Sequence, residues 1–229
     1  NATAPAAPIP ESAAAESLAP AIENEAVAPP ATAASEAAGQ GISGSVPAFI
    51  VLAGMILALI LAAIILGMAR SGGIQTTAAG WVAWSIPVLA VVGLAVAGYL
   101  TYVETQTVAA ICGPVGDCNT VQSSSYAKLF GVLPIGILGL VGYMAMLVAW
   151  FRGRSGSTTA RTLLVGMAAF GVAFSVYLTY LELFVIEAVC LWCLSSAVIM
   201  TLILLAAAAW LAGAWATGAP RATGRAARA

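Results

Sequence analysis

The residues best suited to chemistry in this chain of 229 residues are its four cysteines, which fall into two pairs. Cys112 and Cys118 flank a five-residue spacer, and Cys190 and Cys193 form a C-x-x-C. Thiol–disulfide exchange needs a thiolate, an accessible disulfide and a good leaving thiol, and paired cysteines can supply all three. Both pairs lie at the edges of strongly apolar segments. The pattern therefore predicts electron transfer between a dithiol in water and a lipid-soluble acceptor.

The composition excludes most other chemistry. The chain has no histidine, which removes Ser-His-Asp triads, Cys-His nucleophiles and sites where imidazole binds a metal or haem. Walker A and dinucleotide-binding fingerprints are absent from the sequence, so we expect no nucleotide cofactor. The net charge of −1 gives no reason to expect nucleic-acid binding.

The same composition predicts an all-α membrane protein. Hydrophobic residues make up 62% of the chain and charged residues 7%, whereas soluble domains carry about 25% charged residues. The mean hydropathy is +1.01. Five apolar segments are each long enough to cross a hydrocarbon core of about 30 Å as a helix. They cover residues 47–69, 81–103, 131–151, 162–186 and 190–213.

Composition also divides the chain into four parts. Residues 1–46 are rich in Ala, Pro and Glu, and we expect a disordered extracytoplasmic tail. Residues 47–70 hold a span without cysteine, which predicts an accessory transmembrane helix. Residues 81–213 contain all four cysteines and predict a catalytic four-helix bundle. Residues 214–229 predict a basic cytoplasmic tail.

The positions of the arginines predict how the spans are oriented in the membrane. Arginines follow the first span, lie between the third and fourth, and follow the fifth; they are Arg70, Arg152, Arg154, Arg161, Arg221, Arg225 and Arg228. Cytoplasmic loops are enriched in Lys and Arg, so these three regions are expected on the cytoplasmic side. All four cysteines then lie at the extracytoplasmic face, where disulfides persist.

An internal repeat supports a bundle made from two helix pairs. Residues 99–104, Tyr-Leu-Thr-Tyr-Val-Glu, resemble residues 177–182, Tyr-Leu-Thr-Tyr-Leu-Glu. In each copy a cysteine follows the glutamate by eight residues. Chance similarity of two apolar helix ends remains an alternative to duplication.

The position of the C-x-x-C at the start of the last span suggests a role for each sulfur. A helix N-terminus favours an anion, which assigns the nucleophilic sulfur to Cys190. Cys193 lies one turn deeper, where an apolar acceptor can reach it. Trp192, between them, is expected to wall the acceptor site. Glycines at 136, 139 and 142 on the third span predict close helix packing.

Three other interpretations of the cysteines compete with exchange. Both pairs could be structural disulfides, although C-x-x-C is a strained spacing for a purely structural bond. All four could bind zinc, which an oxidising compartment and the membrane edge disfavour, so we expect no metal. They could also be apolar filler, which is disfavoured because two pairs share one membrane face.

The residues around the cysteines resemble those of a known family. The loop pair is followed by Val121, Ser123-Ser124, Tyr126-Ala127, Phe130-Gly131, a proline, a glycine-rich helix ending in Tyr143, and the C-x-x-C. Over residues 81–213 this pattern resembles the bacterial branch of the vitamin K epoxide reductase family. The resemblance implies a four-helix bundle around a quinone, with Cys193 as the sulfur that meets the ring. It also implies that Cys112 and Cys118 relay electrons from a thioredoxin-like protein.

The resemblance further implies which residues contact the quinone. Ser124 matches a serine in the short helix that caps the family's quinone pocket, and Tyr126 and Phe130 match aromatic positions of that cap. Vertebrate members carry a tyrosine where this chain has Ala197. The resemblance therefore extends to quinone reduction and not to epoxide reduction by the vertebrate route.

Together these observations predict a quinone-dependent thiol–disulfide oxidoreductase of the cell membrane. Electrons would pass from a separate thioredoxin-like, DsbA-type protein through Cys112/Cys118 and Cys190/Cys193 to menaquinone or ubiquinone, supporting disulfide formation outside the cytoplasm. The alternative enzyme, a DsbB-type oxidase, places its C-x-x-C in the first external loop rather than at the last span. The alternative of another class is a non-enzymatic membrane scaffold or transporter stapled by two disulfides.

Overall fold

The computed structural model describes residues 31–72, 80–106, 108–112, 116–129 and 133–218. Within these ranges the fold has five long helices, a short helix, a 3₁₀ turn (Ser125–Ala127) and two very short strands. The helices are α1 (Ala31–Arg70), α2 (Gly80–Gln106), α3 (Cys118–Ser123), α4 (Ile135–Arg154), α5 (Thr158–Leu181) and α6 (Leu191–Gly218). The strands β1 (Lys128–Leu129) and β2 (Leu133–Pro134) pair antiparallel between α3 and α4.

Five helices are long and apolar enough to cross a membrane, which confirms the prediction of an all-α membrane bundle. The corresponding stretches are Ser45–Arg70, Gly80–Gln106, Ile135–Arg154, Thr158–Ile186 and Leu191–Ala216. Each overlaps one predicted span. The third starts four residues later than predicted because β2 occupies its expected beginning, and Pro134 then stands at the N-cap of α4, a position that needs no backbone N–H.

The ends of the chain differ from the expected domain boundaries. Residues 31–46, expected to belong to a disordered tail, are helical, since α1 begins at Ala31. This segment is rich in alanine, the best helix former, and extending an existing helix costs less than nucleating one. Residues 1–30 lie outside the described part of the chain. At the other end α6 continues to Gly218, and the rest of the predicted basic tail is also outside it.

Helix α6 is the centre of the bundle. It packs against α1, α2 and α5, and α4 closes the bundle against α2 and α5. Its side chains Ile203, Leu204 and Leu211 are almost completely buried. Because lipid is as apolar as these side chains, close packing rather than exclusion of water holds such helices together.

Glycines on α4 show how close that packing is. A Cβ at Gly136 would lie 2.7 Å from Thr101 Oγ1, and one at Gly139 would lie 3.2 Å from Ala97 Cβ. The prediction of close packing is therefore confirmed for these two positions. It is wrong for Gly142, where a Cβ would meet nothing within 4 Å.

The alternating helices place the arginines and the cysteines at opposite ends of the bundle. Arg70 at the end of α1 stacks on Trp215 near the end of α6, and Arg154 at the end of α4 stacks on Trp84 near the start of α2. These contacts tie one end together. The loops that carry the cysteines all lie at the other end, where α2 and α5 finish and α4 and α6 begin.

Candidate functional site

The structure brings the four cysteines into one cluster. Cys112 and Cys118 form a disulfide with Cα atoms 6.0 Å apart, while Cys190 and Cys193 are free thiols. Cys118 and Cys190 both have 0% exposure and share a buried cluster, against which Cys112 and Cys193 pack. The two pairs are therefore neighbours in space although more than 70 residues separate Cys118 from Cys190 in sequence.

The backbone before α3 docks against the segment that leads into α6. Gly116 has a φ of +107°, and a Cβ there would lie 2.5 Å from the Val189 carbonyl oxygen, so glycine is required. The N–H of Asp117 donates to the same oxygen at 3.0 Å. This contact places the residue before Cys118 beside the residue before Cys190.

Asp117 also fixes the start of α3. Its carboxylate accepts hydrogen bonds from the Thr120 hydroxyl at 2.6 Å and from the Thr120 N–H at 3.1 Å. These bonds favour the ionised form and lower the pKa of Asp117 below its usual value. The cap of the helix that begins at Cys118 therefore persists as pH falls until this carboxylate is protonated.

Two aromatic side chains hold the residue that precedes Cys112. The Tyr99 hydroxyl accepts a hydrogen bond from the Ile111 N–H at 2.8 Å, and Trp192 Nε1 donates to the Ile111 carbonyl at 2.9 Å. The two rings pack with centroids 4.6 Å apart. A residue inside the C-x-x-C thus contacts the loop that carries the other cysteine pair.

The position of Trp192 corrects its predicted role. The residue does not line the cavity in the described part of the structure, and so it does not wall an acceptor site there. Helical geometry explains the difference, because consecutive residues of a helix, here Trp192 and Cys193, point about 100° apart. Trp192 therefore faces the loop, while Cys193 faces the bundle.

An unusual turn delivers the C-x-x-C to the start of α6. A π-helical turn, Glu182–Ile186, follows α5, and Glu187 ends it in the left-handed conformation with φ 56°. The chain then folds back, and the Cys190 N–H donates to Glu182 Oε2 at 3.1 Å. Cys190 Sγ accepts a hydrogen bond from the Cys193 N–H at 3.4 Å. Donation of this kind is how a helix start stabilises a sulfur anion.

A cavity of about 770 Å³ lies between α4, α5 and α6, with one wall from α2. Cys193 is part of its lining, as predicted for the sulfur that faces an apolar acceptor, whereas Cys190 is not. The cavity also reaches the outer surface of the bundle, since it is lined by the exposed side chains Val141, Leu163 and Phe170. Its size falls within the range of roughly 300–1,000 Å³ typical of small-molecule sites.

Two of the predicted quinone contacts line this cavity. They are Ser124, partly buried, and Tyr126, which is about half exposed. Phe130 lies outside the described residues. Ala197, at the position of the vertebrate tyrosine, is another lining residue.

The few polar groups on the cavity wall can orient a polar ring. Gln122 Oε1 is buried without a hydrogen-bond partner, so it is free to bond a ligand. The Ser124 hydroxyl donates to the Val121 carbonyl at 2.7 Å, which leaves its oxygen as an acceptor. This largely apolar space, which Cys193, Glu104 and Glu182 also line, fits a quinone ring, whose carbonyl and hydroxyl oxygens need few polar partners.

Sequence reasoning missed Gln122 and Glu182 as site residues. Gln122 lies in the segment that carried the family resemblance, but it has no motif of its own. Glu182 was visible in the internal repeat, where it was used only as evidence of duplication. Its burial, 3% exposed, and its contacts with the C-x-x-C depend on the π-helical turn, which no pattern in the sequence predicts.

The described structure is thus a multi-pass membrane bundle in which a disulfide and a dithiol meet beside an apolar cavity, the arrangement of a membrane thiol–disulfide oxidoreductase. Residues 84–208 match the model of the Vitamin K epoxide reductase family. The match covers more than half of the chain, and the chain belongs to this family. Members sit in membranes, generally use a quinone and typically work with thioredoxin-like partners. No solved structure matches the chain.

Proposed function

We propose that the chain is a quinone-dependent thiol–disulfide oxidoreductase that takes electrons from a separate thioredoxin-like protein. One observation carries the proposal. Cys193 lines the apolar cavity, while its partner Cys190 is buried in the same cluster as Cys118 of the loop disulfide. The series of sulfurs therefore begins on a loop next to Ile111, which is 79% exposed, and ends at a space suited to a lipid-soluble substrate.

The redox states of the two pairs correspond to one step of such a relay. The loop pair is a disulfide and the C-x-x-C is a dithiol, which is the state after electrons have passed from the loop pair to the C-x-x-C. That transfer is a thiol–disulfide exchange, in which the Cys118 thiolate attacks Cys190 and Cys112 then resolves the mixed disulfide. A quinone bound in the cavity accepts two electrons and two protons.

The polar side chains of the cavity wall can hold the ring of a quinone. Gln122 and Ser124 can each form a hydrogen bond to a ring oxygen, and Tyr126 covers the ring from the segment before β1. The exposed side chains of α4 and α5 that line the cavity leave a lateral route for an apolar tail into lipid. The chain therefore recognises the ring by polar groups and tolerates tails of different length, as in menaquinone and ubiquinone.

The arginines at the opposite end of the bundle support an extracytoplasmic location for the cysteines. In intact cells, a membrane-impermeant thiol reagent is expected to label Cys112 after reduction. A cysteine introduced at Ser155, between α4 and α5, is expected to stay protected in a background without native cysteines. Labelling at position 155 from outside would reverse the orientation and remove the argument for disulfide formation outside the cytoplasm.

The function is tested by coupling thiol oxidation to quinone reduction with purified components. Reduced thioredoxin-like protein is mixed with the chain in detergent, and quinone absorbance is followed without oxygen. We expect one quinone to be reduced for each dithiol oxidised. Cys193→Ser serves as the control, because it retains three cysteines and the fold but lacks the sulfur on the cavity wall. An equal rate for the native chain and this variant would contradict the proposal.

A further inference from the structure

A buried carboxyl group contacts the backbone of Cys190 and lies beside the thiol of Cys193, and it has no part in the relay described above. Glu182 is 3% exposed, and its Oε2 accepts a hydrogen bond from the Cys190 N–H. The same side chain lies beside the Cys193 thiol, on the wall of the same cavity. It also lines the cavity. One carboxyl group therefore lies between the sulfur that gives up electrons and the space that holds the acceptor.

We propose that Glu182 is a catalytic residue that accepts the proton of the Cys193 thiol and delivers it to the quinone in the cavity. The inference rests on the proposed quinone reduction. A thiolate, not a thiol, is the reactive form of cysteine, and a proton removed from sulfur must reach a ring oxygen before hydroquinone can leave. A carboxylate in contact with the thiol and open to the cavity can do both.

The chemistry balances with groups that are present. The S–H bonds of Cys190 and Cys193 break, one S–S bond forms between them, and two electrons and two protons convert quinone to hydroquinone. Glu182 gains an O–H bond as the Cys193 S–H bond breaks and loses it as the O–H bond of the product forms. Cys190 Sγ accepts a hydrogen bond from the Cys193 N–H, which holds the two cysteines together, so the Cys190 proton can reach the same carboxylate afterwards.

A purely structural role for Glu182 would be to cap the start of α6 through the Cys190 N–H. That role needs an acceptor oxygen but no charge, and a neutral amide would provide it at a lower cost of burial. A carboxylic group at this position is difficult to explain by capping alone. Replacing Glu182 by glutamine keeps an acceptor oxygen for the Cys190 N–H but removes the group that can bind and release a proton, so it separates the two roles.

Glu104 provides the matched control. It ends the other copy of the internal repeat and lines the same cavity, but its Oε2 accepts a hydrogen bond from the Gly136 N–H at 3.3 Å and contacts no cysteine. The ionisable groups around Glu182 are the thiols of Cys190 and Cys193. Across the cavity lining they are Glu104 of α2, with Lys128 near it, and Tyr143 of α4. The α3 element contributes only Cys118, which is held in the disulfide, and α1 has no ionisable side chain between Ser45 and Ala69.

The first measurement is the rate of quinone reduction, with dithiothreitol as the electron donor, in Glu182→Gln and Glu104→Gln. We expect kcat to fall on the order of 100-fold or more in Glu182→Gln, the range for loss of a general acid–base group. The KM for quinone is expected to stay within about threefold of the native value, since the glutamine keeps the shape of the site. Glu104→Gln, which changes the other carboxyl of the cavity wall, is expected to lower kcat by less than about tenfold, because Glu104 does not lie beside a thiol.

The second measurement needs no quinone. The reduced chain is alkylated with N-ethylmaleimide over a range of pH, and the rate at Cys193 is read by mass spectrometry. A thiol and a carboxyl that share a proton titrate in two steps that belong to the pair, so the native chain and Glu104→Gln are expected to show a two-step profile. Glu182→Gln is expected to show a single step.

The outcomes separate this inference from the proposed function. If the native chain reduces no quinone, the proposed function fails, and the catalytic role fails with it. If the native chain is active and Glu182→Gln has a kcat within threefold of native, or if native alkylation follows a single step, only the role of Glu182 is overturned. Should Glu182→Gln fail to fold, Glu182→Asp replaces it. The proposal then requires that alkylation of Cys193 in Glu182→Asp follows two steps with pH and that kcat is reduced. A single-step alkylation profile in this variant contradicts the proposal.

Discussion

The two copies of the internal repeat have similar residues but different surroundings. In both, the final glutamate lies at the end of a helix that runs toward the cysteine end of the bundle, and it accepts a backbone N–H from the start of a helix that runs away from it. In the copy at residues 99–104 that N–H belongs to Gly136 of α4, and in the copy at 177–182 it belongs to Cys190 before α6. Similar sequence has thus produced the same capping contact, and only the second copy places a cysteine on it.

The difference between the copies arises after the glutamate. The second copy continues into a π-helical turn that returns the chain within eight residues. The first continues into the cysteine loop, α3 and the strand pair before α4 begins. One copy therefore builds a compact site that faces the cavity, and the other builds a loop that can meet a partner. The two similar helix ends supply the same frame, and the connections that follow them give the two cysteine pairs different surroundings.

Removal of single sulfurs is expected to have the largest effect and to separate the two copies. Cys193→Ser should abolish quinone reduction, because the sulfur on the cavity wall is missing. Cys112→Ser should accumulate a Cys118–Cys190 disulfide, because the sulfur that resolves this bond is missing. Cys118→Ser should stop oxidation of the protein partner and trap it on Cys112, yet still allow dithiothreitol to reduce quinone through the C-x-x-C. Mass spectrometry of the trapped species identifies which cysteines are bonded in each variant. A Cys112–Cys190 bond would reverse the order within the loop pair.

Disturbing the contact between the loop and the C-x-x-C segment is expected to have the next largest effect. In Gly116→Ala the new Cβ meets the Val189 carbonyl oxygen, which displaces Cys118 from Cys190. Misplacement of this size slows transfer between the pairs on the order of 10- to 100-fold, measured by rapid mixing and acid quench. Direct reduction of quinone by dithiothreitol should be unchanged.

Gly156→Ala controls for backbone strain in that experiment. Gly156 also has a positive φ, +93°, but it lies between α4 and α5 at the arginine end, where a Cβ meets nothing within 4 Å. Both variants lose about 1–2 kcal/mol through the left-handed conformation, and only Gly116→Ala should slow the transfer. Equal transfer rates in the two variants would show that the docking contact has no kinetic role.

The smallest effect is expected from the tyrosines that begin each copy. Tyr99→Phe removes the hydrogen bond to the Ile111 N–H, worth about 0.5–1.5 kcal/mol, or roughly two- to tenfold in the rate of loop-to-C-x-x-C transfer. Tyr177→Phe should match the native rate, because Tyr177 is half exposed and bonds no loop. A similar slowing in both variants would contradict the assignment of Tyr99 to the loop.

The sequence predicted the spans well and the side-chain directions less well. Long apolar stretches have few alternatives to a membrane helix, and Cys193 could be placed on the bundle side because it follows a helix start by one turn. The role of Trp192 was predicted wrongly because consecutive residues of a helix, here Trp192 and Cys193, face different neighbours. Which neighbour each one meets depends on the loop at Ile111, which has no signal of its own.

The catalytic carboxyl shows the same limit more clearly. The repeat drew attention to Glu104 and Glu182 together, and nothing in their sequence surroundings distinguishes the one beside a thiol. The distinction comes from Glu187 in the left-handed conformation and from the π-helical turn before it. Such turns are local departures from regular hydrogen bonding that tertiary packing stabilises, and hydrophobic periodicity does not report them.

The central claim is that four sulfurs form one relay that ends at the cavity, and the redox state of each pair during quinone titration tests it most directly. The chain is reduced fully without oxygen, limiting quinone is added, and alkylated thiols are counted by mass spectrometry after each addition. We expect the first equivalent of quinone to oxidise one cysteine pair per chain and the second to oxidise the other, with no more consumed. Disulfides that form or persist independently of quinone would contradict the relay and favour a scaffold stapled by two static bonds.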